Sequence, residues 1–147
     1  MNIGTMTDSI TDNLLNILPL IHRKLLKVEF ERINPNLSRL HFIVLRILND
    51  HSQLPISEIG KNLFIPKPQM TALVDRLIQF GMVARLPDME DRRVVNIHLT
   101  DSGRKTLEEC DKLIRESIRQ KLSSLTPGDL EIFLRCTAEL REIGAKL

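Results

Sequence analysis

Arg92 and Arg93 stand side by side in a charged turn, Pro87-Asp88-Met89-Glu90-Asp91-Arg92-Arg93, between two short runs of strand-forming residues. Two guanidiniums at the tip of a hairpin can donate to phosphate oxygens, and an arginine there can enter a narrow, negatively charged minor groove. A second constellation lies upstream in Lys67, Pro68, Gln69, Thr71 and Ala72, with Arg76 further along. Lysine supplies a cation at a helix start, while Gln69 and Thr71 offer the donors and acceptors that read base edges. Both sets also have a plainer reading, as a solvated turn and the polar outside of an amphipathic helix. Nothing else in the chain has a comparable pattern. His22, His41, His51 and His98 fall on separate elements without a carboxylate–nucleophile arrangement, and there is no Gly-rich phosphate loop or HExxH motif. Cys110 and Cys136 fit no metal-ligand spacing, and in a reducing compartment each reads as a small hydrophobe. The residues thus argue against an enzyme, a metal site and a cofactor.

The elements that position these residues can be read from periodicity. Val95, Ile97 and Leu99 alternate with Val94, Asn96 and His98, which predicts a strand with the first set buried. Met82, Val83 and Ala84 begin the strand before it. A hairpin of this size needs helices to pack against. Immediately before it, Met70, Leu73, Val74 and Leu77 mark the inner face of a helix over 67–80 that Gly81 ends as its C′ residue. Pro66 and Pro68 suit its first turn, where backbone N–H groups have no helical acceptor and can meet a phosphate. A shorter helix is predicted over 56–64, with Ile56, Ile59 and Leu63 inward, and a break at Ile65-Pro66 separates the two.

Outside this group the chain reads as helical. A stripe of Ile10, Leu14, Ile17, Ile21, Leu25 and Val28 predicts a first helix over 8–30, bent or divided near Leu18 by Pro19. Ser38 is the expected N-cap of a second, with Leu40, Ile43, Val44, Ile47 and Leu48 on one face, and 49–54 reads as a polar connection. Thr100 should cap a helix reaching about Ser124, and Thr126-Pro127 should open a last one. The expected architecture is mainly α with a small β-hairpin wing: a winged helix-turn-helix. In it the second helix of the pair fits the major groove and the wing lies beside it.

Length and composition agree with a single domain. The chain has 147 residues, 42% of them hydrophobic and 27% charged, enough for a real core. With 21 basic and 19 acidic residues spread evenly, any nucleic-acid surface must come from placed cations rather than from overall charge. No apolar run approaches the roughly 18 residues of a membrane span, and the N-terminal residues do not resemble a signal peptide, so a cytoplasmic location and no membrane partner are expected.

Three runs carry a resemblance. Ser57-Glu58-Ile59-Gly60, then Asp75-Arg76-Leu77 followed by Gly81-Met82-Val83-Ala84-Arg85, then Asp91-Arg92-Arg93 with Leu99-Thr100 and Gly103-Arg104 resemble the multiple antibiotic resistance regulator (MarR) family. The resemblance implies a homodimer on double-stranded DNA. Residues 38–103 would form the winged helix-turn-helix lobe, and 1–33 with 104–147 the dimerisation helices. It further implies a palindromic operator, repression, and release by a small anionic or phenolic effector whose binding residues the sequence leaves unassigned. By the same correspondence Lys67, Pro68, Gln69, Thr71, Ala72 and Arg76 face the major groove. One of Arg92 and Arg93 enters the minor groove, and the other pairs with Asp91 to hold the turn. Pro66 replaces the usual capping serine or threonine, Ala72 stands where some relatives have arginine, and the first helix lacks the cysteine of peroxide-sensing members. A winged helix can also dock on proteins without reading DNA, and that alternative stays open on the residues alone.

Overall fold

The computed structural model describes residues 2–91 and 93–147. In chain order the elements are α1 (Ile3–Lys24), a 3-10 turn at Phe30–Arg32, α2 (Arg39–His51), β1 (Gln53–Pro55), α3 (Ile56–Leu63), α4 (Lys67–Gln79), β2 (Val83–Pro87), β3 (Val95–Leu99), α5 (Asp101–Leu122) and α6 (Pro127–Gly144). Packing divides them into two compact units. One joins the segment up to Val28 with Ile114–Leu147, and the other is Glu29–Leu113. Arg104–Leu113, read from sequence with the terminal dimerisation helices, packs within the second unit.

The core of the Glu29–Leu113 unit is built where three helices meet a sheet. Met70, Val74 and Leu77 of α4, Ile59 of α3, and Val44, Leu45 and Leu48 of α2 are fully buried against Val83 and Ile97. The inner face of α2 is rotated from the expected stripe. Val44 and Leu48 are buried as expected, but Phe42 and Leu45 join them, whereas Leu40, Ile43 and Ile47 are half-buried. The first helix ends at Lys24, short of the expected 30, and Phe30 in the 3-10 turn beyond it stacks on Phe42 with ring centroids 5.1 Å apart, which draws Phe42 inward. Ser38 opens α2 as anticipated, and its backbone amide donates to Nδ1 of His41 at 2.9 Å. That bond needs an unprotonated nitrogen, and burial holds the His41 pKa below its ordinary value, with the Arg76 charge acting the same way.

The sheet has three strands rather than two, in the order β1-β3-β2, all antiparallel. Gln53, Leu54 and Pro55, read as part of or next to a polar connection, pair with His98, Ile97 and Asn96. Three residues are too few to show alternation, and Pro55, which has no N–H to give, is tolerated because β1 is an edge strand. The expected alternation in β3 also fails at its start. Val95 is 42% exposed and Asn96 is buried, because Asn96 is held by a hydrogen bond described below.

In the other unit, α1 runs unbroken through Pro19. Proline removes one backbone bond without dividing the helix, and Thr7, Ser9 and Thr11 donate to carbonyls four residues back along its polar turns. Neither α1 nor α6 has a buried residue. Ile10, Leu14, Leu18, Leu134, Leu140 and Ile143 are 42–71% exposed. The Lys121 ammonium closes the end of α1 by donating to the carbonyls of Leu25 and Lys27 at 3.1 and 2.9 Å.

Candidate nucleic-acid interface

The helix start at Lys67 lacks a side-chain cap. Pro66 occupies the N-cap, where it makes no side-chain cap bond, and Pro68 the second helical position. Two of its nitrogens therefore carry no hydrogen, and the amides of Lys67 and Gln69 have no acceptor within the helix. Lys67, Pro68, Gln69 and Ala72 are exposed on the face opposite Met70 and Val74. Thr71 is half-buried and gives its hydroxyl proton to the Lys67 carbonyl at 2.9 Å, leaving its oxygen as an acceptor only. Arg76 lies two turns on. Its guanidinium sits 5.1 Å over the Phe80 ring and 3.3 Å from Gln79 Oε1, so it is drawn toward the C-terminal end of α4. The structure thus brings Lys67, Pro68, Gln69, Thr71 and Ala72 together at the exposed start of one helix and sets Arg76 apart from them.

The wing is shaped by a carboxylate that sequence reasoning passed over. Asp88 accepts hydrogen bonds from the backbone amides of Glu90 and Asp91 at 2.9 and 3.0 Å, and from the Asn96 side-chain amide at 2.9 Å. These three donors, the Asp91 amide first, hold its carboxyl below the usual carboxylate range. The available signal was Pro-Asp at a turn, where aspartate bonds the backbone two residues on. Asp91 repeats the device one step later. Its carboxylate accepts from the Arg93 backbone amide at 2.9 Å, and its carbonyl accepts from Val94. So Asp91 closes the turn through the backbone of Arg93, whose side chain is exposed. Arg92 lies outside the described residues.

Two links fix the wing to the helix. Arg85 of β2 donates to Asp75 of α4 at 2.6 Å, and both side chains are half exposed. At the base, the Thr100 hydroxyl donates to the Gly81 carbonyl at 2.6 Å and accepts from the Gly103 amide at 3.1 Å, while the Thr100 amide donates to the Met82 carbonyl. Gly81 itself turns at φ +68° and, with Met82, caps the last carbonyls of α4. Much of the sequence motif quoted above is therefore scaffold: Asp75, Arg85, Thr100 and Gly103 position the wing rather than extend from it.

Among the described residues no group of three or more His, Cys, Asp or Glu side chains could hold a metal, and no helix is long and apolar enough to cross a membrane. His98 is half-buried in β3 between Gln53 and Ala84, away from any nucleophile pairing. Cys110 is buried, which pushes its thiol up to about 11 and leaves it unreactive.

Helix, tight turn, uncapped helix and braced hairpin together define a winged helix-turn-helix protein. Comparison with known proteins narrows the class. The family model described as "MarR family" matches residues 37–95. The HTH-type transcriptional repressor MdtR of Bacillus subtilis is 29% identical over 126 residues, which cover 80% of this chain and 81% of that protein. The crystal structure of YusO from Bacillus subtilis superimposes with a TM-score of 0.69 at 25% identity, over 97% of this chain and 99% of that one. A mutant MarR from Escherichia coli complexed with operator DNA shares the fold, with a TM-score of 0.61 at 24% identity over 86% and 92% of the two chains. Residues 37–95 thus match the MarR family, and the chain as a whole shares the winged-helix fold of the solved MarR-family proteins it is similar to.

Proposed function

We propose that this regulator acts as a homodimeric repressor that binds a two-fold symmetric operator through α4 and the wing. The observation that carries the reading is the pairing of an uncapped, cation-bearing helix start at Lys67–Gln69 with a wing whose exposed Arg93 is held by backbone bonds. In this reading Gln69, Thr71 and Ala72 face base edges in the major groove, and Lys67 with the amides around Pro68 holds a phosphate. Arg76 reaches the backbone from the far end of α4, Asp91 supports the wing, and Arg92 or Arg93 enters the minor groove. Support for dimerisation comes from α1 and α6, which hold no fully buried residue within one protomer and expose long apolar faces. Two-fold symmetry would set the half-sites about 10 base pairs apart, centre to centre. Two relatives are named as repressors, which supports repression as the output. Release by a small anionic or phenolic effector completes the proposal. Such a compound acts only through its differential affinity for the DNA-competent and incompetent states.

The test is selection of bound duplexes from a random pool at two salt concentrations. Enrichment of a symmetric site whose affinity falls steeply with salt is the expected result. Changing Arg92 and Arg93 together to alanine should weaken binding on every sequence, whereas Gln69→Ala should change the preference among sites, by about 1–3 kcal/mol at the contacted base pair. Recovery of no site at either salt concentration would overturn the reading and favour the protein-docking alternative.

A further inference from the structure

Phe64 is the residue least explained by the folded protomer. It ends α3 in the left-handed region at φ 53°, where glycine or asparagine is the ordinary occupant, and its side chain is 95% exposed. Backbone geometry and solvent both disfavour phenylalanine here, and at 95% exposure packing among the described residues does little to offset them. The turn needs only the conformation: the Phe64 and Ile65 amides close α3 on the carbonyls of Lys61 and Gly60, bonds that any residue could make.

Its surroundings indicate what the ring meets. Phe64 stands at the rim of an open groove lined by Ser57, Gly60, Lys61, Ile65, Pro66 and Lys67. The apolar floor is thus bordered by two lysines three residues to either side, and by the uncapped start of α4. The one acidic neighbour on α3, Glu58, is paired with Lys61 at 2.7 Å. With Lys61 balanced by Glu58, the ring stands beside the Lys67 cation and unaccepted amides, which suits a polyanion that also presents apolar surface. A DNA strand does so through the deoxyribose between successive phosphates.

We infer that Phe64 is a DNA-contact residue whose ring packs on the sugar of the strand gripped by Lys67 and the first turn of α4. This rests on the DNA-binding reading above and adds to it a contact of a different kind, apolar and insensitive to salt. A lysine–phosphate contact releases counterions and contributes about one to the slope of log affinity against log salt, whereas a phenyl–sugar contact contributes nothing to it.

The experiment compares the unaltered protein with Phe64→Asn, Phe64→Leu and Lys67→Ala on the selected duplex and on a random 30-base-pair duplex, across a salt series. Thermal melting and sedimentation of each protein accompany the series. Asparagine suits the left-handed turn, so Phe64→Asn should melt no lower than the parent. It should nonetheless bind both duplexes about 5- to 20-fold more weakly with an unchanged salt slope. Phe64→Leu should retain part of the affinity, and Lys67→Ala should lower the slope by about one. Binding of Phe64→Asn within two-fold of the parent would overturn the inference while leaving the DNA reading intact. So would a reduced slope, which would show a displaced cation, or a changed sedimentation coefficient, which would show a self-association surface. If the unaltered protein binds neither duplex, the DNA reading fails and this contact fails with it.

Discussion

Gly103 has no room for a side chain. A Cβ built there would lie 1.9 Å from the Met82 carbonyl oxygen and 3.1 Å from a Leu99 methyl. The crowding arises because Thr100 draws the start of α5 onto the Gly81–Met82 bend with bonds on both sides of its hydroxyl. The backbone carbonyl cannot swing aside without giving up its bond from the Thr100 amide. Gly103→Ala is therefore expected to destabilise the protein by about 1–3 kcal/mol through overpacking. Gly144→Ala, with nothing within 4 Å, should change stability little. Denaturant unfolding of both variants checks this, and equal midpoints would remove the close approach from the account. Gly103 and Thr100 were legible in the sequence as parts of a motif. Their reason was not, since it depends on a carbonyl that lies some twenty residues earlier in the chain.

The wing is the element whose order depends on a titrating group. Asp88 accepts three hydrogen bonds as a carboxylate, and its folded pKa lies below the ordinary value of 3.8. A depressed folded pKa means the unfolded wing binds the proton more readily. The contribution of Asp88 is thus fully present above about pH 3.8 and is lost as pH falls through the lower, folded value. In an NMR titration the amide resonances of Glu90 and Asp91 should move together, with a midpoint below 3.8. In Asp88→Asn that transition should disappear. A midpoint at or above 3.8 would show that the carboxylate does not cap these amides. Above pH 5 the wing should stay closed, so DNA affinity near neutrality owes nothing to this titration. The bridge from Arg85 to Asp75 is exposed and adds little stability, about 0–1 kcal/mol, but it couples the direction of the wing to that of α4.

The whole molecule is unevenly cored. The Glu29–Leu113 unit holds every buried hydrophobic residue among those described, while α1 and α6 carry apolar faces that the protomer leaves in water. A face of that kind is stable when a second copy covers it. Sedimentation at micromolar concentration should give a dimer. Leu134→Lys, at a site 71% exposed in the protomer, should shift the equilibrium to monomer while leaving the circular dichroism of the winged unit unchanged. A parent protein that sediments as a monomer would remove the rationale for a symmetric operator.

The sequence by itself determined the order of helices, the hairpin, the end of α4 at Gly81 and the resemblance to the MarR family, because each rests on local periodicity, turn chemistry or a short motif. The tertiary structure alone decided the third strand, the inward turn of Asn96 and the rotated face of α2. Each of these is set by a partner that periodicity does not reveal: β3 lies some forty residues beyond β1, Phe30 twelve residues before Phe42, and Asp88 across the hairpin from Asn96. Hydrogen bonds and ring contacts formed at such separations leave no periodic trace in the residues that make them, so they become visible only once the chain has closed on itself.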